Sequence, residues 1–122
     1  MLKSIWAAPA ELQQAITEFW PDNKWNEAAS IAFEESGWKW DAENDSTQGG
    51  AIPCGTVIGE RDGVTITAEH SISYFQINAC NYPGWNSGHL FNARQNAGTA
   101  HALWAERGWQ PWYYSAKKLS LL

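Results

Sequence analysis

Residues 24–37 have the sequence KWNEAASIAFEESG, in which apolar side chains recur at the spacing of one helical face. We predict a helix from about Lys24 to Ser36, with Asp22 or Asn23 as its N-cap and Gly37 as its end. The apolar face is made of Trp25, Ala28, Ala29, Ile31, Ala32 and Phe33. The opposite face carries Asn26, Glu27, Ser30 and Glu34, so one side of the helix is expected to be buried and the other solvated.

Two adjacent glutamates near the end of this helix are predicted to differ in environment. At about 100° per residue, Glu34 points away from the apolar face into water, whereas Glu35 lies at its margin. Trp38 and Trp40 follow closely, so Glu35 is expected to be half buried with a raised pKa, because desolvation penalises the charged form. A glutamate that stays protonated near neutral pH can act as a general acid. The alternative is that Glu35 is an ordinary solvated glutamate at the end of a helix.

The segments on either side predict a mainly α fold with a small β component, α+β in class. A first helix is expected over about 9–20, and a last long helix over about 92–107 that ends at Gly108. Between the second and last helices we predict a polar loop over 38–55, one β-hairpin from 56–58 and 64–67, and a loop over 81–89. No linker or repeat divides the chain, so residues 1–122 are expected to form a single domain.

The charge balance excludes several classes of partner. The 122 residues contain 8 Lys and Arg against 13 Asp and Glu, a net charge of −5. An acidic chain without a basic run is a poor ligand for nucleic acid or an anionic membrane. The sequence contains no apolar stretch of membrane-spanning length, and its first residues do not resemble a secretory signal. We therefore predict no nucleic-acid partner, no membrane insertion and no signal peptide.

The cysteines and histidines show no metal-binding pattern. Cys54 and Cys80 form no Cys-x-x-Cys pair, and His70, His89 and His101 lack the spacing of metal ligands. We predict no metal site and no cofactor. The two cysteines form either a single disulfide or two buried thiols.

Nine tryptophans are more than a core of this size normally needs. Trp20, Trp25 and Trp104 lie in predicted helical stripes and are assigned to the core. Tryptophans in irregular segments are candidates for a sugar-binding cleft, since aromatic rings pack against the apolar C–H faces of sugars. These candidates are Trp38, Trp40, Trp85, Trp109 and Trp112.

Four ordered motifs resemble the lysozyme-like superfamily, in particular the soluble lytic transglycosylase (SLT) domains of bacteriophage and actinobacterial proteins. The similarity covers roughly residues 11–114. The motifs are IAFEESG at 31–37, SYFQIN at 73–78, NAGTA at 96–100 and GWQPW at 108–112. This resemblance implies a lysozyme-like fold and cleavage of the β-1,4 bond between N-acetylmuramic acid and N-acetylglucosamine in peptidoglycan.

The same resemblance implies roles for individual residues. It makes Glu35 the general acid and Gln76 a substrate-contacting residue. The further substrate-binding candidates are Asn96, Tyr113, Tyr114, Tyr74, Asn78 and Trp38. The resemblance also implies bacterial glycan strands as the partner, along with other virion proteins. The expected location of the protein is a phage virion or the host cytoplasm, from which it would be released to the cell wall.

Two serines depart from the family pattern and leave alternatives open. Ser73 stands where the family has glycine, and Ser71 stands where hydrolytic relatives carry aspartate. Without that aspartate the resemblance favours a lytic transglycosylase, in which one glutamate acts as acid and then as base to give a 1,6-anhydro product. The alternative is a hydrolytic lysozyme with a second carboxylate from Glu69, Asp62 or Glu60. A third alternative is a non-catalytic wall-binding or virion structural module.

Overall fold

A computed structural model describes residues 1–122 as five α-helices and five short strands. Helical residues make up 49% of the chain and strands 14%, which confirms the predicted mainly α, α+β class. The helices are α1 (Ala10–Phe19), α2 (Trp25–Ser36), α3 (Ser87–Phe91), α4 (Ala93–Arg107) and α5 (Tyr113–Lys118). The strands are β1 (Glu43–Asp45), β2 (Val57–Arg61), β3 (Val64–Thr67), β4 (His70–Ile72) and β5 (Ile77–Asn78).

Helix α2 ends as predicted and begins differently. Gly37 adopts a left-handed conformation with φ of 63°, and its N–H closes the last turn on Phe33. The predicted N-cap is wrong, because residues 22–24 form a 3₁₀ turn that leads directly into the helix and places Lys24 at the cap position. A 3₁₀ turn continues the hydrogen-bonded backbone, so no side-chain cap is formed there.

The polar face of α2 is less solvated than predicted. Ser30 is buried, and its hydroxyl accepts a hydrogen bond from the backbone N–H of Lys3 at 2.7 Å. Glu34 keeps only 17% of its side chain exposed, because Nζ of Lys118 lies 2.8 Å from its carboxylate. The prediction that Glu34 points freely into water is therefore wrong.

The core lies between α1, α2 and α4, and tryptophan rings fill much of it. Trp20 is buried and stacks on both Phe75 and Trp109. The ring of Phe19 packs so closely on α4 that a Cβ at Gly98 would meet it at 3.2 Å. Trp109 and Trp112, predicted as cleft candidates, are 7% and 4% exposed and join this core, although Trp112 also forms part of the wall of the cleft described below.

The β structure comprises two small sheets rather than one hairpin. The predicted hairpin is present as β2 and β3, paired antiparallel with Arg61 opposite Val64. The second sheet has the order β1-β4-β5, and its β1 lies inside the segment predicted as a loop over 38–55. The sequence of β1 is Glu-Asn-Asp, which has poor intrinsic strand propensity, so its pairing with β4 depends on tertiary structure.

Two further helices replace predicted irregular segments. Helix α3 lies at the end of the predicted loop over 81–89, where Asn86 caps its first turn. Helix α5 forms the C-terminal tail after a 3₁₀ turn at Gln110–Trp112. None of the helices combines the length and apolar character needed to cross a membrane.

Candidate active site

A polar cleft of about 310 Å³ lies where the end of α2 meets the second sheet, α4 and the turn before α5. Its lining contains five of the residues predicted for a site: Glu35, Glu69, Gln76, Asn78 and Trp112. The rest of the wall is made of Ser71, Ile77, Asn81, Leu103, Arg107, Gln110 and Pro111. Residues far apart in the chain therefore surround Glu35, the carboxyl group predicted from the sequence to be half buried.

Glu35 lies in the last turn of α2 and is partly buried, as its place at the margin of the apolar face predicts. Burial is the main cause that raises its pKa above 4.5, and the charges of Glu69 and Glu34 raise it further. A hydrogen bond from Ser115 Oγ to Oε2 of Glu35 acts in the opposite direction. The protonated form of Glu35 therefore persists to higher pH than in an ordinary glutamate.

Gln76 borders the cleft, but most of the hydrogen-bonding capacity of its amide is used within the protein. Its Nε2 donates to the carbonyl oxygens of Ser73 at 2.9 Å and Ala42 at 3.2 Å. Its Oε1 accepts from Nδ2 of Asn44 at 2.6 Å. Gln76 thus ties β1 to the turn before β5, and a substrate would meet only the unused lone pair of its amide oxygen.

Asn78 retains a free donor in the cleft. Its Oδ1 accepts from the backbone N–H groups of His70 and Cys80, each at 3.1 Å. Its Nδ2 makes no hydrogen bond within the protein and is not a fully buried unpartnered atom. Nδ2 is therefore available to an acceptor in the cleft, such as a sugar hydroxyl or an acetamido oxygen.

Only one of the three hairpin-region carboxylates lies at the cleft. Glu69, just before β4, is exposed and lines it, and its backbone is held by hydrogen bonds to Ser46. Glu60 and Asp62 lie on the exposed β2–β3 hairpin and do not line the cleft. The hairpin geometry thus reduces the three candidates for a second carboxylate to Glu69.

Two predicted substrate contacts lie in the interior instead. The hydroxyl of Tyr74 donates to the carboxylate of Glu11, and burial holds the pKa of this buried tyrosine well above its usual range. Asn96 is fully buried in α4. It accepts from Phe75 N–H at 2.8 Å and donates to the carbonyls of Ile72 and Leu90. Neither side chain reaches the cleft, and Asn96 instead holds the turn that carries Gln76.

Three aromatic candidates do not line the cleft. The indole of Trp38 donates to the carbonyl of Ala29 at 2.9 Å and packs edge-on against Phe33. Tyr113 and Tyr114 are exposed at the start of α5. The guanidinium of Arg61 lies 4.0 Å from the centre of the Tyr114 ring, so this tyrosine connects the tip of the hairpin to α5.

Sequence analysis did not identify Ser115, the side chain that contacts Glu35 directly. Ser115 belongs to a tail for which no helix was predicted, and it approaches Glu35 only through the packing of α5 on α2. Arg107 and Gln110, which add a charge and an amide to the cleft, come from the same end of the chain. A lone serine after a Trp-Tyr-Tyr run has no local pattern that marks it as functional.

Two serines close to the cleft differ in their backbone geometry. Ser73 has a φ of 62°, in the left-handed region where glycine is favoured, and its buried hydroxyl has no hydrogen-bond partner. The turn geometry therefore favours glycine over the serine that this chain carries at position 73. Ser71 lies in β4 and lines the cleft.

The cysteines are joined, and no metal-binding group is formed. Cys54 and Cys80 form a disulfide with their Cα atoms 5.8 Å apart, which settles the open alternative in favour of the bond. No three His, Cys, Asp or Glu side chains are grouped so that they could hold a metal ion. The chemistry available in the cleft is that of carboxyl, hydroxyl, amide and guanidinium groups.

Comparison with family models, curated proteins and solved structures gives no match to this chain.

Proposed function

We propose that this protein cleaves the β-1,4 glycosidic bond between N-acetylmuramic acid and N-acetylglucosamine in peptidoglycan, as a lytic transglycosylase. The observation that carries the proposal is Glu35. It is a partly buried carboxyl group with a raised pKa at the wall of a polar cleft. A protonated carboxyl at neutral pH is what protonation of a sugar leaving group requires.

The reaction uses Glu35 twice. Its proton passes to the glycosidic oxygen while the bond from that oxygen to the anomeric carbon of muramic acid breaks. The Glu35 carboxylate then takes the proton of the muramic 6-hydroxyl, whose oxygen bonds to the same anomeric carbon. The product is a 1,6-anhydro sugar, and Glu35 ends the cycle protonated without consuming water.

The uncharged polar residues of the cleft fit a ligand rich in hydroxyl groups. Asn78 offers a free amide donor, while Gln110 and Ser71 add polar groups along the same wall. Amides and hydroxyls are the groups that pair with sugar hydroxyls and acetamido groups. Ser71 supplies no carboxylate, which favours the route with one glutamate over a route that needs two.

Hydrolysis by a second carboxylate is the other candidate, and Glu69 is the observation that favours it. Glu69 lines the same cleft, and its charge contributes to the raised pKa of Glu35. In that reaction Glu69 would either activate a water molecule as a general base or attack the anomeric carbon as a nucleophile. Glu35 would supply the proton to the leaving oxygen. Hydrolysis would leave a reducing end instead of an anhydro sugar.

Three variants test these candidates through the soluble sugars released from purified peptidoglycan. Glu35→Gln should abolish release, because an amide cannot supply the proton. Glu34→Gln is the matched control, since it removes the neighbouring carboxylate that pairs with Lys118, and it should keep most of the activity. Glu69→Gln should keep activity in a transglycosylase and lose it in a hydrolase. Glycan binding without release by the wild type would instead support a non-catalytic wall-binding module.

A further inference from the structure

Helix α5 supplies the only hydrogen bond made by the Glu35 side chain. Oγ of Ser115 donates to Oε2 of Glu35. Oε1 has no hydrogen-bond partner, yet it is not one of the fully buried unpartnered atoms, which are Ser73 Oγ and His89 Nε2. Oε1 therefore retains access to solvent, and Glu35 lines the polar cleft. The two oxygens of this carboxyl group have different environments.

The serine is held firmly in place. Ser115 is 8% exposed, and its carbonyl accepts from the N–H of Leu119, the residue that caps the end of α5. The helix begins directly after Trp112, which is buried and whose indole donates to the carbonyl of Phe75 at 2.9 Å. A hydroxyl fixed in this way restricts the orientation of the carboxyl group that it binds.

We propose that Ser115 is a positioning residue that anchors Oε2 of Glu35, so that Oε1 is the oxygen that exchanges the proton with the substrate. This role rests on the proposed function, because it assigns the acid proton to one oxygen of the proposed acid. Fixing the group in one orientation removes the need to order it during the reaction. The hydrogen bond also favours the charged form that must act as base in the second step.

The charged groups around Glu35 do not supply this anchor. Glu34 on the same helix is paired with Lys118 of α5, and Glu69 approaches from the strand side. Arg107 lines the cleft from the end of α4 and makes no ion pair. None of these groups donates a hydrogen bond to Glu35, so removing the Ser115 hydroxyl changes the anchor while the charges stay in place.

Three variants test the proposal by the titration of the Glu35 carboxyl carbon in 13C NMR, which needs no substrate. Ser115→Ala should move the titration to higher pH, because a hydrogen bond to the charged form is lost. Ser115→Thr keeps a hydroxyl and should restore the wild-type titration. Ser36→Ala is the matched control, since Ser36 is equally buried at 8% exposure but donates to the carbonyl of Ala32.

Activity on peptidoglycan gives the second readout. In Ser115→Ala, kcat should fall roughly tenfold with KM little changed, and the alkaline limb of the pH profile should move upward with the titration. A Glu35 titration that stays unchanged in Ser115→Ala, or that moves equally in Ser36→Ala, would overturn the proposal. A shifted titration in a protein whose wild type releases no sugar would refute the proposed function and the catalytic part of this role, while leaving the contact itself established.

Discussion

At the scale of a single residue, Glu35 should make the free energy of unfolding depend on pH. Its pKa is raised in the folded state, so between the unfolded and folded pKa values the folded protein binds more protons than the unfolded chain. The free energy of unfolding therefore decreases as pH rises through that window. Glu35→Gln, which stays neutral, should be more stable than the wild type near pH 7 and should lose this advantage near pH 4.

Thermal unfolding of both proteins at the two pH values checks this expectation. Glu34→Gln should show no such gain near pH 7, because it removes the carboxylate that Lys118 contacts. A change in Tm for Glu35→Gln that is the same at both pH values would show that Glu35 is an ordinary, solvated glutamate.

Ser73 offers a second test at a single residue. Its left-handed backbone and its unpartnered buried hydroxyl both cost stability. Ser73→Gly should therefore raise the free energy of unfolding by about 1 kcal/mol, as measured by urea denaturation. Ser71→Gly is the contrasting variant, because Ser71 lies in β4 with ordinary strand geometry. Glycine weakens a strand, so this variant should be less stable than the wild type. Destabilisation by both substitutions would contradict this interpretation.

At the scale of elements, Asn96 holds three segments together. From α4 it bonds the backbone of Phe75, Ile72 and Leu90, and it is fully buried. Asn96→Ala leaves these backbone groups without partners and should cost about 3 kcal/mol or more. Asn92→Ala removes only the N-cap bond of the same helix and should cost about 1 kcal/mol. Equal losses in urea denaturation would contradict this role for Asn96.

The disulfide is the main covalent constraint on the cleft. Glu69, Gln76 and Asn78 all lie between Cys54 and Cys80, while the β2–β3 hairpin in that segment is exposed along its whole length. Closing a loop with a sequence separation of 26 should contribute about 3.5 kcal/mol to stability. The double variant Cys54→Ser/Cys80→Ser should lose stability by that amount and become insensitive to reductant. An unchanged midpoint of urea denaturation would contradict this expectation.

The elements that the sequence predicts well are those with a clear local pattern. Helix α4 is predicted over about 92–107 and occupies Ala93–Arg107, because the flanking Asn92 and Gly108 are local start and stop signals. The β2–β3 hairpin follows for the same reason from two β-prone runs around a glycine turn. Strand β1 and helix α5 have no such local pattern. Their formation depends on the tertiary contacts that they make.

At the scale of the whole molecule, the cleft could be predicted only in part. The half-burial of Glu35 follows from the periodicity of α2, and the motif at 73–78 does bring Gln76 and Asn78 to the same wall. The pairing of Glu34 with Lys118 and the contact from Ser115 both arise from the return of α5 to α2. Contacts between such distant segments are set by packing, which one sequence read locally does not reveal.

The central claim concerns what Glu35 does to a glycan strand. The most direct test is mass spectrometry of the soluble products from purified peptidoglycan digested in 18O-labelled water. We predict 1,6-anhydro products without 18O, and their loss in Glu35→Gln but not in Glu34→Gln. Reducing ends that carry 18O would contradict the single-glutamate mechanism and assign the reaction to hydrolysis with Glu69. Absence of any product from the wild type across several wall types would contradict the enzymatic function itself.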